Sequence, residues 1–234
     1  MKIKDAVVLV TGANRGIGLA FARELLARGA RKVYAGARDP TTVTEAGVQA
    51  LQLDVTRPEQ VAAAAARASD VTLVINNAGI AQPGGFLAAD SEDTTRRIFE
   101  TNFFGVLGMS KAFAPVLRVN GGGGLLNVLS VVSWVNGGEL AAYSASKSAA
   151  WSLTNALRNE LAAQKTQVLA LHMAYVDTDL TRGFEVPKAS PEQIVQRALN
   201  GLEAGLDEVL ADEITQQVKA GMTAARPGYL TPAA

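Results

Sequence analysis

The fold of this chain is decided by the stretch Ala6-Val7-Val8-Leu9-Val10-Thr11-Gly12-Ala13-Asn14-Arg15-Gly16-Ile17-Gly18. Its first five residues are apolar and mostly β-branched, which is typical of a buried parallel strand. The glycines that follow lack a Cβ, so the backbone turns tightly and a phosphate is able to approach the N–H groups that open the next helix. The pattern predicts a phosphate-binding turn, although a plain glycine-rich strand-to-helix loop has the same composition.

Strand-like and helical patterns alternate along most of the remaining chain. The further predicted strands are Lys32 to Ala35, Ala50 to Val55, Val71 to Ile75, Leu125 to Leu129, Val168 to Met173 and Glu208 to Leu210. Because strands separated by helices pair in parallel, the order predicts an α/β fold with a doubly wound parallel sheet and helices on both faces. Ser190 with Gln193, and Thr56 with Glu59, have the spacing of helix capping boxes.

Length and composition fit one enzyme-sized domain. Of 234 residues, 48% are hydrophobic, and no linker or repeat is visible, so we expect one domain over residues 1–223 and a tail over 224–234. The 22 basic and 22 acidic side chains cancel, which argues against nucleic acid and membrane partners. With no cysteine and one histidine we expect no metal site, and without a signal peptide or membrane span we expect a cytoplasmic protein.

Tyr143 and Lys147 stand four residues apart in a predicted helix, so one turn brings the phenol and the ammonium to the same face. A nearby positive charge lowers the pKa of a phenol, which would make Tyr143 a usable acid near neutral pH. Tyrosine and lysine at this spacing also recur on ordinary surface helices. The pair therefore indicates a catalytic site only in combination with the motifs that accompany it.

Together with the glycine turn, two further motifs complete a family pattern. They are Asn76-Asn77-Ala78-Gly79 after a predicted strand, and Ser130 thirteen residues before Tyr143. From about Asp5 to Asp212 the chain resembles the short-chain dehydrogenase/reductase family. The resemblance implies a Rossmann-like fold with a nicotinamide dinucleotide across the carboxyl ends of the strands, where a doubly wound sheet offers a crevice.

The resemblance also implies a catalytic set of four residues. Tyr143 would pass a proton to a carbonyl oxygen, Ser130 would donate a hydrogen bond to that oxygen, and Lys147 would bind the nicotinamide ribose. Asn102, which we place at the end of a helix from about Asp93 to Thr101, matches a position that holds a proton-relaying water. An asparagine that closes a helix is often only a C-cap.

The charges near the second predicted strand favour NADP(H) over NAD(H). Arg38 follows this strand, and Arg15 in the glycine turn would close on a 2′-phosphate from the other side. Asp39 is the alternative, since a carboxylate is able to accept a ribose hydroxyl. The cofactor-binding residues implied by the family pattern are Gly12, Asn14, Arg15, Gly16, Ile17, Gly18, Arg38, Asp54, Val55, Asn76, Ala78, Gly79, Tyr143, Lys147, Ala174, Val176 and Thr178.

One segment departs from the family pattern. Where the family has Pro-Gly followed by Thr, this chain has Met173-Ala174 and keeps Thr178. We expect the change to reshape the pocket beside the nicotinamide. Neutral drift, adaptation to a substrate and an engineered variant are all compatible with it. We interpret His172 as a core residue or a supporting residue rather than a catalyst.

The predicted substrate pocket is apolar. We expect Phe86, Trp134, Leu140 and Tyr175 to line it beside Ser130 and Tyr143, with a short lid around residues 179–190. These aromatic side chains would serve equally well as ordinary packing. An apolar pocket favours an aromatic or aliphatic ketone.

The leading hypothesis is an NADPH-dependent reductase of ketones that also runs as an alcohol dehydrogenase. The alternatives are a reductase of acyl-carrier-bound 3-oxoacyl groups and a dinucleotide sensor without turnover. Small residues such as Gly105, Gly108, Ala149 and Ala150 permit close helix packing, and the family pattern predicts a homodimer or homotetramer.

Overall fold

The apolar run near the N-terminus forms strand β1 (Val7–Thr11) inside a parallel sheet, in a computed structural model that describes residues 1–230. The other strands are β2 (Lys32–Ala37), β3 (Gln49–Gln52), β4 (Leu73–Asn76), β5 (Gly124–Val128), β6 (Gln167–His172) and β7 (Glu208–Leu210). They lie in the order β3-β2-β1-β4-β5-β6-β7, and each neighbouring pair is parallel. The predicted doubly wound sheet is confirmed, and its order reverses beside β1, where such sheets bind ligands.

Helices cover both faces of this sheet. They are α1 (Gly16–Ala27), α2 (Pro58–Arg67), α3 (Ser91–Phe99), α4 (Gly105–Val119), α5 (Ala141–Glu160), α6 (Pro191–Glu203) and α7 (Glu213–Gly221). α1 and α6 pack against each other on one face, while α2, α4 and α5 pack over the other. Between β2 and β3 the crossover is only a 3-10 turn, Pro40–Thr42, because the connecting segment is too short for a full helix.

Strand β1 contributes side chains to the hydrophobic clusters on both faces of the sheet. Val8 and Val10 point to the face covered by α1, where they pack in a cluster with Phe21. Val7 and Leu9 point to the opposite face and pack in a cluster with Phe113. Side chains alternate along a strand, so a strand buried on both faces must be apolar at every position. Burial of each such side chain contributes about 1.5–3 kcal/mol to folding, which fixes β1 at the centre of the molecule.

Of the two predicted helix capping boxes, one is present in the structure and the other is not. Ser190 and Gln193 form the predicted capping box at the start of α6. Thr56 and Glu59 do not cap α2, because the Thr56 N–H and hydroxyl both donate to Oδ1 of Asp54, at 3.0 and 2.8 Å.

The ends of the described chain add two observations. No helix within residues 1–230 has the length and apolar composition needed to cross a bilayer. The predicted tail over 224–234 is described up to a 3-10 turn, Gly228–Leu230, and Pro232 lies outside the described residues.

Candidate active site

The turn between β1 and α1 has a geometry that requires glycine. Gly12 and Gly16 have φ of 65° and 53°, in the left-handed region. A Cβ on Gly18 would lie 2.1 Å from the carbonyl oxygen of Gly12, so the first turn of α1 packs directly on the loop backbone. α1 has no side-chain cap and no acidic residue in its first turn. Its first N–H groups therefore remain available to an anion.

Asn77, which was not among the predicted site residues, holds this turn against the end of β4. Its Nδ2 donates to the carbonyl oxygens of Thr11 and Gly12, at 2.9 and 3.2 Å. Oγ1 of Thr11 accepts the backbone N–H groups of Asn77 and Ala78, at 3.0 and 2.9 Å. The signal in the sequence was the place of Asn77 in the polar motif that directly follows a strand.

Asn76, which we predicted to border the adenosine, has a side chain that lies inside the fold. Asn76 is the last residue of β4 and pairs in register with Asn127 on β5. Its side chain is buried, and Nδ2 donates to Oδ1 of Asn127 at 2.9 Å. Asn127 in turn donates to Thr154 on α5, also at 2.9 Å. The side chain therefore joins the sheet to α5 instead of facing the crevice.

Ser130 and Tyr143 come together where β5 ends. The Ser130 backbone is extended and opens a 3-10 turn, Val131–Ser133, and its Oγ accepts the N–H of Val132 at 3.3 Å. Tyr143 projects from the first turn of α5. The phenol interacts with the Ser130 hydroxyl, which acts to lower the pKa of Tyr143. The spacing of thirteen residues thus places both hydroxyls in one site.

Lys147 lies one helical turn beyond Tyr143 and is almost completely buried, with 5% of its surface exposed. Its Nζ donates to the carbonyl oxygen of Val128 at 2.8 Å and lies 5.7 Å from the centre of the Tyr143 ring. A Cβ on Gly79 would lie 3.7 Å from this Nζ and 3.4 Å from Oδ1 of Asn102. Lysine, asparagine and the motif after β4 therefore share one small volume.

Burial, rather than the neighbouring charge, controls the acidity of this pair. Burial raises the pKa of Tyr143 to about 12, and the Ser130 hydrogen bond offsets only part of that rise. Burial also lowers the pKa of Lys147 to about 8. The expectation that the ammonium lowers the phenol's pKa is wrong, because burial raises that pKa. The reason is that low polarity disfavours both charged forms.

The prediction that Asn102 closes a helix is also wrong. Residues Glu100–Phe104 form a π-helical turn that joins α3 to α4 without a break. Oδ1 of Asn102 accepts the N–H of Ile80 at 2.9 Å, and Nδ2 donates to the Ile80 carbonyl at 2.9 Å. Nδ2 also donates to Oγ of Ser146 on α5, at 3.0 Å. Extra turns of this kind often occur at functional sites, and here it aims the amide at the backbone after β4.

The far wall of the crevice is the segment that follows β6. A Cβ on Gly16 would lie 3.4 Å from Cγ2 of Thr178, so the glycine turn and this segment face each other closely. Arg15 donates to Oδ2 of Asp179 at 2.8 Å, and Arg182 also contacts this carboxylate. Arg15, which we predicted to close on a 2′-phosphate from the side opposite Arg38, therefore pairs with Asp179 in this structure.

Arg38 is exposed at the end of β2 and has no ion-pair partner within residues 1–230. Asp39, its competitor, has Oδ1 engaged by the N–H and the hydroxyl of Thr41, at 3.0 and 2.6 Å. These hydrogen bonds hold the pKa of Asp39 below its usual value. Asn14 in the glycine turn donates to Thr42 at 3.1 Å. The neighbouring polar groups thus bond one another, and Arg38 keeps an exposed guanidinium.

Asp54 and Val55, which we predicted to line the adenine ring, make contacts with neighbouring residues of the protein. Oδ1 of Asp54 accepts from Thr56, while the Asp54 N–H donates to Gln60 at 2.7 Å. Val55 packs at the start of α4, where a Cβ on Gly105 would lie 2.7 Å from its Cγ2. Both residues remain partly accessible at the crevice end.

The Met173-Ala174 segment corrects one expectation. Met173 is buried in the core beneath α1 and α6, so its side chain does not shape the pocket. The N–H of Ala174 donates to Oδ2 of Asp212 at 2.7 Å, and Oδ1 of Asp212 caps α7 through the N–H of Thr215. Val176 is buried. Sequence reasoning missed Asp212, whose partner lies 38 residues away.

The loop over 179–190 is closed at its base, where Ala189 donates to the carbonyl of Tyr175 at 2.9 Å. Tyr175 stacks at a tilt on Phe184, with ring centres 5.5 Å apart. Leu140 is bridged to Gly84, and Phe86 is half exposed beside it. These contacts bring the loops after β4, β5 and β6 around the entrance.

Trp134, which we predicted to contact substrate, is buried in this structure. Only 8% of its surface is exposed, and its ring stacks on His172 with centres 4.0 Å apart. Trp151 packs edge-on against the same indole, at 6.3 Å. The 3-10 turn after Ser130 directs the indole away from the crevice and into the gap between β6 and α7.

Comparisons with known proteins agree with this geometry. The model of the short chain dehydrogenase family matches residues 6–188. The 3-oxoacyl-[acyl-carrier-protein] reductase FabG of Salmonella typhimurium is 30% identical over 193 residues, which cover 79% of each chain.

Solved structures of similar chains agree as well. A short chain dehydrogenase from Burkholderia cenocepacia in complex with NADP is 40% identical, with a TM-score of 0.95 and coverage of 99% of this chain and 100% of that one. A Sphingobium yanoikuyae short-chain dehydrogenase in complex with NADPH is 28% identical, with a TM-score of 0.77 and 87% of each chain covered. This chain belongs to the short-chain dehydrogenase/reductase family of oxidoreductases.

Proposed function

We propose that this protein reduces ketones to alcohols, reversibly, with NADP(H) as its cofactor. The observation that carries the proposal is the grouping of the Ser130 and Tyr143 hydroxyls above a buried Lys147 at the carboxyl end of the sheet. NADPH supplies the hydride when bound. Tyr143 holds the proton for the carbonyl oxygen, and Ser130 donates a hydrogen bond to that oxygen as negative charge develops.

The acidity of the pair suits reduction. With a pKa raised to about 12, Tyr143 keeps its proton at neutral pH and is ready to donate it to an alkoxide. Lys147, with a pKa lowered to about 8, is still mainly cationic there. Asn102 fixes the Ile80 backbone beside the lysine, and α5 carries both Tyr143 and Lys147, so one helix orients the proton donor and its neighbouring charge.

Two observations support NADP(H) over NAD(H). Arg38 is an exposed guanidinium with no ion-pair partner in the described chain, which suits a 2′-phosphate. Asp39 is already engaged by Thr41. The residues that would hold the dinucleotide are the glycine turn for its phosphates, Arg38 for its 2′-phosphate, and Lys147 with Thr178 near its nicotinamide end. The similar Burkholderia protein was crystallised with NADP.

The test is consumption of NADPH or NADH, followed by absorbance, with a panel of aryl and aliphatic ketones. Tyr143→Phe removes only the phenolic hydroxyl and should abolish turnover while NADPH affinity is kept. Tyr34→Phe, which alters a phenol bound to Asp70 far from the crevice, is the matched control. Cofactor binding without consumption across the whole panel would instead indicate a dinucleotide sensor.

A second candidate is the reduction of acyl-carrier-bound 3-oxoacyl groups, because the Salmonella relative is a reductase of this class. Arg96 on α3 lines a surface groove together with the exposed Phe86 and would contact an acidic carrier. The two candidates separate if a 3-oxoacyl thioester is offered free and carrier-bound. A much lower KM for the carrier-bound form, lost on Arg96→Glu, would support the second candidate.

A further inference from the structure

A buried histidine lies directly behind the catalytic serine. His172 ends β6 and has no exposed surface. Its Nδ1 lies 3.1 Å from the backbone carbonyl oxygen of Ser130. Its Nε2 makes no hydrogen bond among the described residues, and the nearest charged atom is Oε1 of Glu208, the first residue of β7, at 3.4 Å.

Both partners of this imidazole are acceptors, which fixes its protonation. A carbonyl oxygen has no proton to give, so Nδ1 must carry the hydrogen that it shares with Ser130. Glu208 is a carboxylate, because the Lys219 ammonium lies 3.2 and 3.1 Å from its two oxygens. A lone pair on Nε2 would face this negative charge. A doubly protonated ring donates to the Ser130 carbonyl and places a positive charge, instead of a lone pair, beside this carboxylate.

The other charged groups around the ring are consistent with a cation there. Glu208 from β7 faces Nε2, and Lys219 from α7 lies 3.1 Å from the second oxygen of Glu208. The Lys219 ammonium sits over the indole of Trp134, 4.5 Å from the ring centre, and Trp134 stacks on the imidazole. α5 contributes the uncharged Trp151, so Glu208 is the counter-ion shared by both cations.

We propose that His172 is a positioning residue for Ser130: a buried imidazolium, held by Glu208, that fixes the backbone of the catalytic serine from behind. The inference deepens the proposed function, on which its catalytic part rests. Ser130 opens a 3-10 turn, and its carbonyl oxygen also accepts the N–H of Ser133 at 3.0 Å. A second, charged donor on that oxygen stiffens the turn. The direction of the Ser130 hydroxyl toward Tyr143 depends on that turn.

The protonation state has a direct measurement, because His172 is the only histidine in the chain. Protein without a histidine tag, labelled with ¹⁵N-histidine, gives NMR signals from one imidazole. We expect both ring nitrogens to carry hydrogen at pH 7, and we expect Glu208→Gln to remove the hydrogen from Nε2 alone. A single protonated nitrogen in the unmodified protein would overturn the proposal, whatever the enzyme's substrate.

Turnover tests the positioning role. His172→Phe keeps a ring to stack on Trp134 but removes both donors, so kcat and kcat/KM should fall together by roughly ten-fold to a hundred-fold while NADPH affinity is unchanged. His172→Gln keeps one donor for the Ser130 carbonyl and should recover part of the loss. It also replaces the phenylalanine variant if that protein does not fold.

The pH profile separates positioning from simple packing. In Glu208→Gln no carboxylate faces Nε2, so kcat should show an extra decline with rising pH that is absent from the unmodified enzyme. His172→Phe should lack this extra decline. Asp70→Asn, which disrupts a comparable lysine contact at the other end of the sheet, is the matched control and should leave both profiles unchanged.

The turnover and NMR measurements test the positioning role of His172 separately from the proposed ketone reduction. If the unmodified enzyme reduces ketones and His172→Phe keeps its kcat, the positioning role is refuted and the proposed function stands. If no ketone is reduced, the proposed function fails, and the NMR measurement on the unmodified protein still decides whether the imidazolium exists.

Discussion

Replacing Lys147 by methionine should make the protein more stable and inactive. Lys147 is 5% exposed, and burial lowers its pKa from 10.5 to about 8, so keeping it charged in the native state costs about 3 kcal/mol at pH 7. Methionine has a similar length and no charge. Loss of the hydrogen bond to the Val128 carbonyl offsets about 1–2 kcal/mol of the gain. The net effect is a stabilisation of about 1–2 kcal/mol, or a few degrees in Tm.

The pH dependence of this effect has a definite sign. Between pH 8 and 10.5 the unfolded lysine is protonated while the native lysine is not, so the unfolded state binds more protons and the unmodified protein gains stability as pH rises. The advantage of Lys147→Met should therefore shrink by about 2 kcal/mol between pH 7 and about pH 9.5. Tyr143 is present in both proteins, so its contribution cancels.

Urea unfolding at the two pH values measures this difference, and ketone turnover measures the lost activity. Lys2→Met removes an exposed ammonium at the N-terminus and should give the same stability difference at both pH values. A Lys147→Met protein that is destabilised equally at pH 7 and pH 9.5 would refute the reasoning, because Lys147 would then not be a desolvated cation.

Three further outcomes follow from the site geometry. Gly18→Ala places a Cβ 2.1 Å from the Gly12 carbonyl oxygen and should abolish cofactor binding, measured by fluorescence titration, or folding, measured by thermal melts. Gly221 has open space around it, so Gly221→Ala should change neither property. Arg38→Ala should raise the KM for NADPH roughly ten-fold or more and leave the KM for NADH nearly unchanged, as for the loss of one charge-assisted contact. Because burial raises the pKa of Tyr143 to about 12, alcohol oxidation, which needs the phenolate, should accelerate with pH up to at least pH 10, measured as initial rates in both directions.

The sheet was predictable because its determinants are local in sequence. Buried parallel strands have apolar residues on both faces, so Val7 to Val10 and the later runs stand out without knowledge of their neighbours. β7 was predicted with its observed bounds, Glu208–Leu210. The glycine turn was equally visible, since its backbone angles and its contact with α1 require glycine itself.

Apart from the helix cap at Thr56, the errors concern side chains whose partners lie far away in the sequence. Asn102 was placed at a helix end, but its hydrogen bonds to Ile80 and Ser146 belong to a π-helical turn inside a longer helix. Trp134 has the composition of a pocket residue, yet the stack with His172 buries it. Helical periodicity predicts which face of its own helix a residue occupies. It does not predict which other helix or strand packs against that face.

The acidity of the catalytic pair is the clearest case of this limit. Spacing on α5 brought Lys147 to the same face as Tyr143, and an argument from charge alone then predicts a lowered phenol pKa. In the structure the Lys147 ammonium donates a hydrogen bond to the Val128 carbonyl, and burial raises the pKa of the phenol instead of lowering it. The Ser130 hydroxyl is the group that opposes this rise. The strength of the acid therefore depends on where the turn after β5 holds Ser130, and so on the residues that support that turn from β6 and β7.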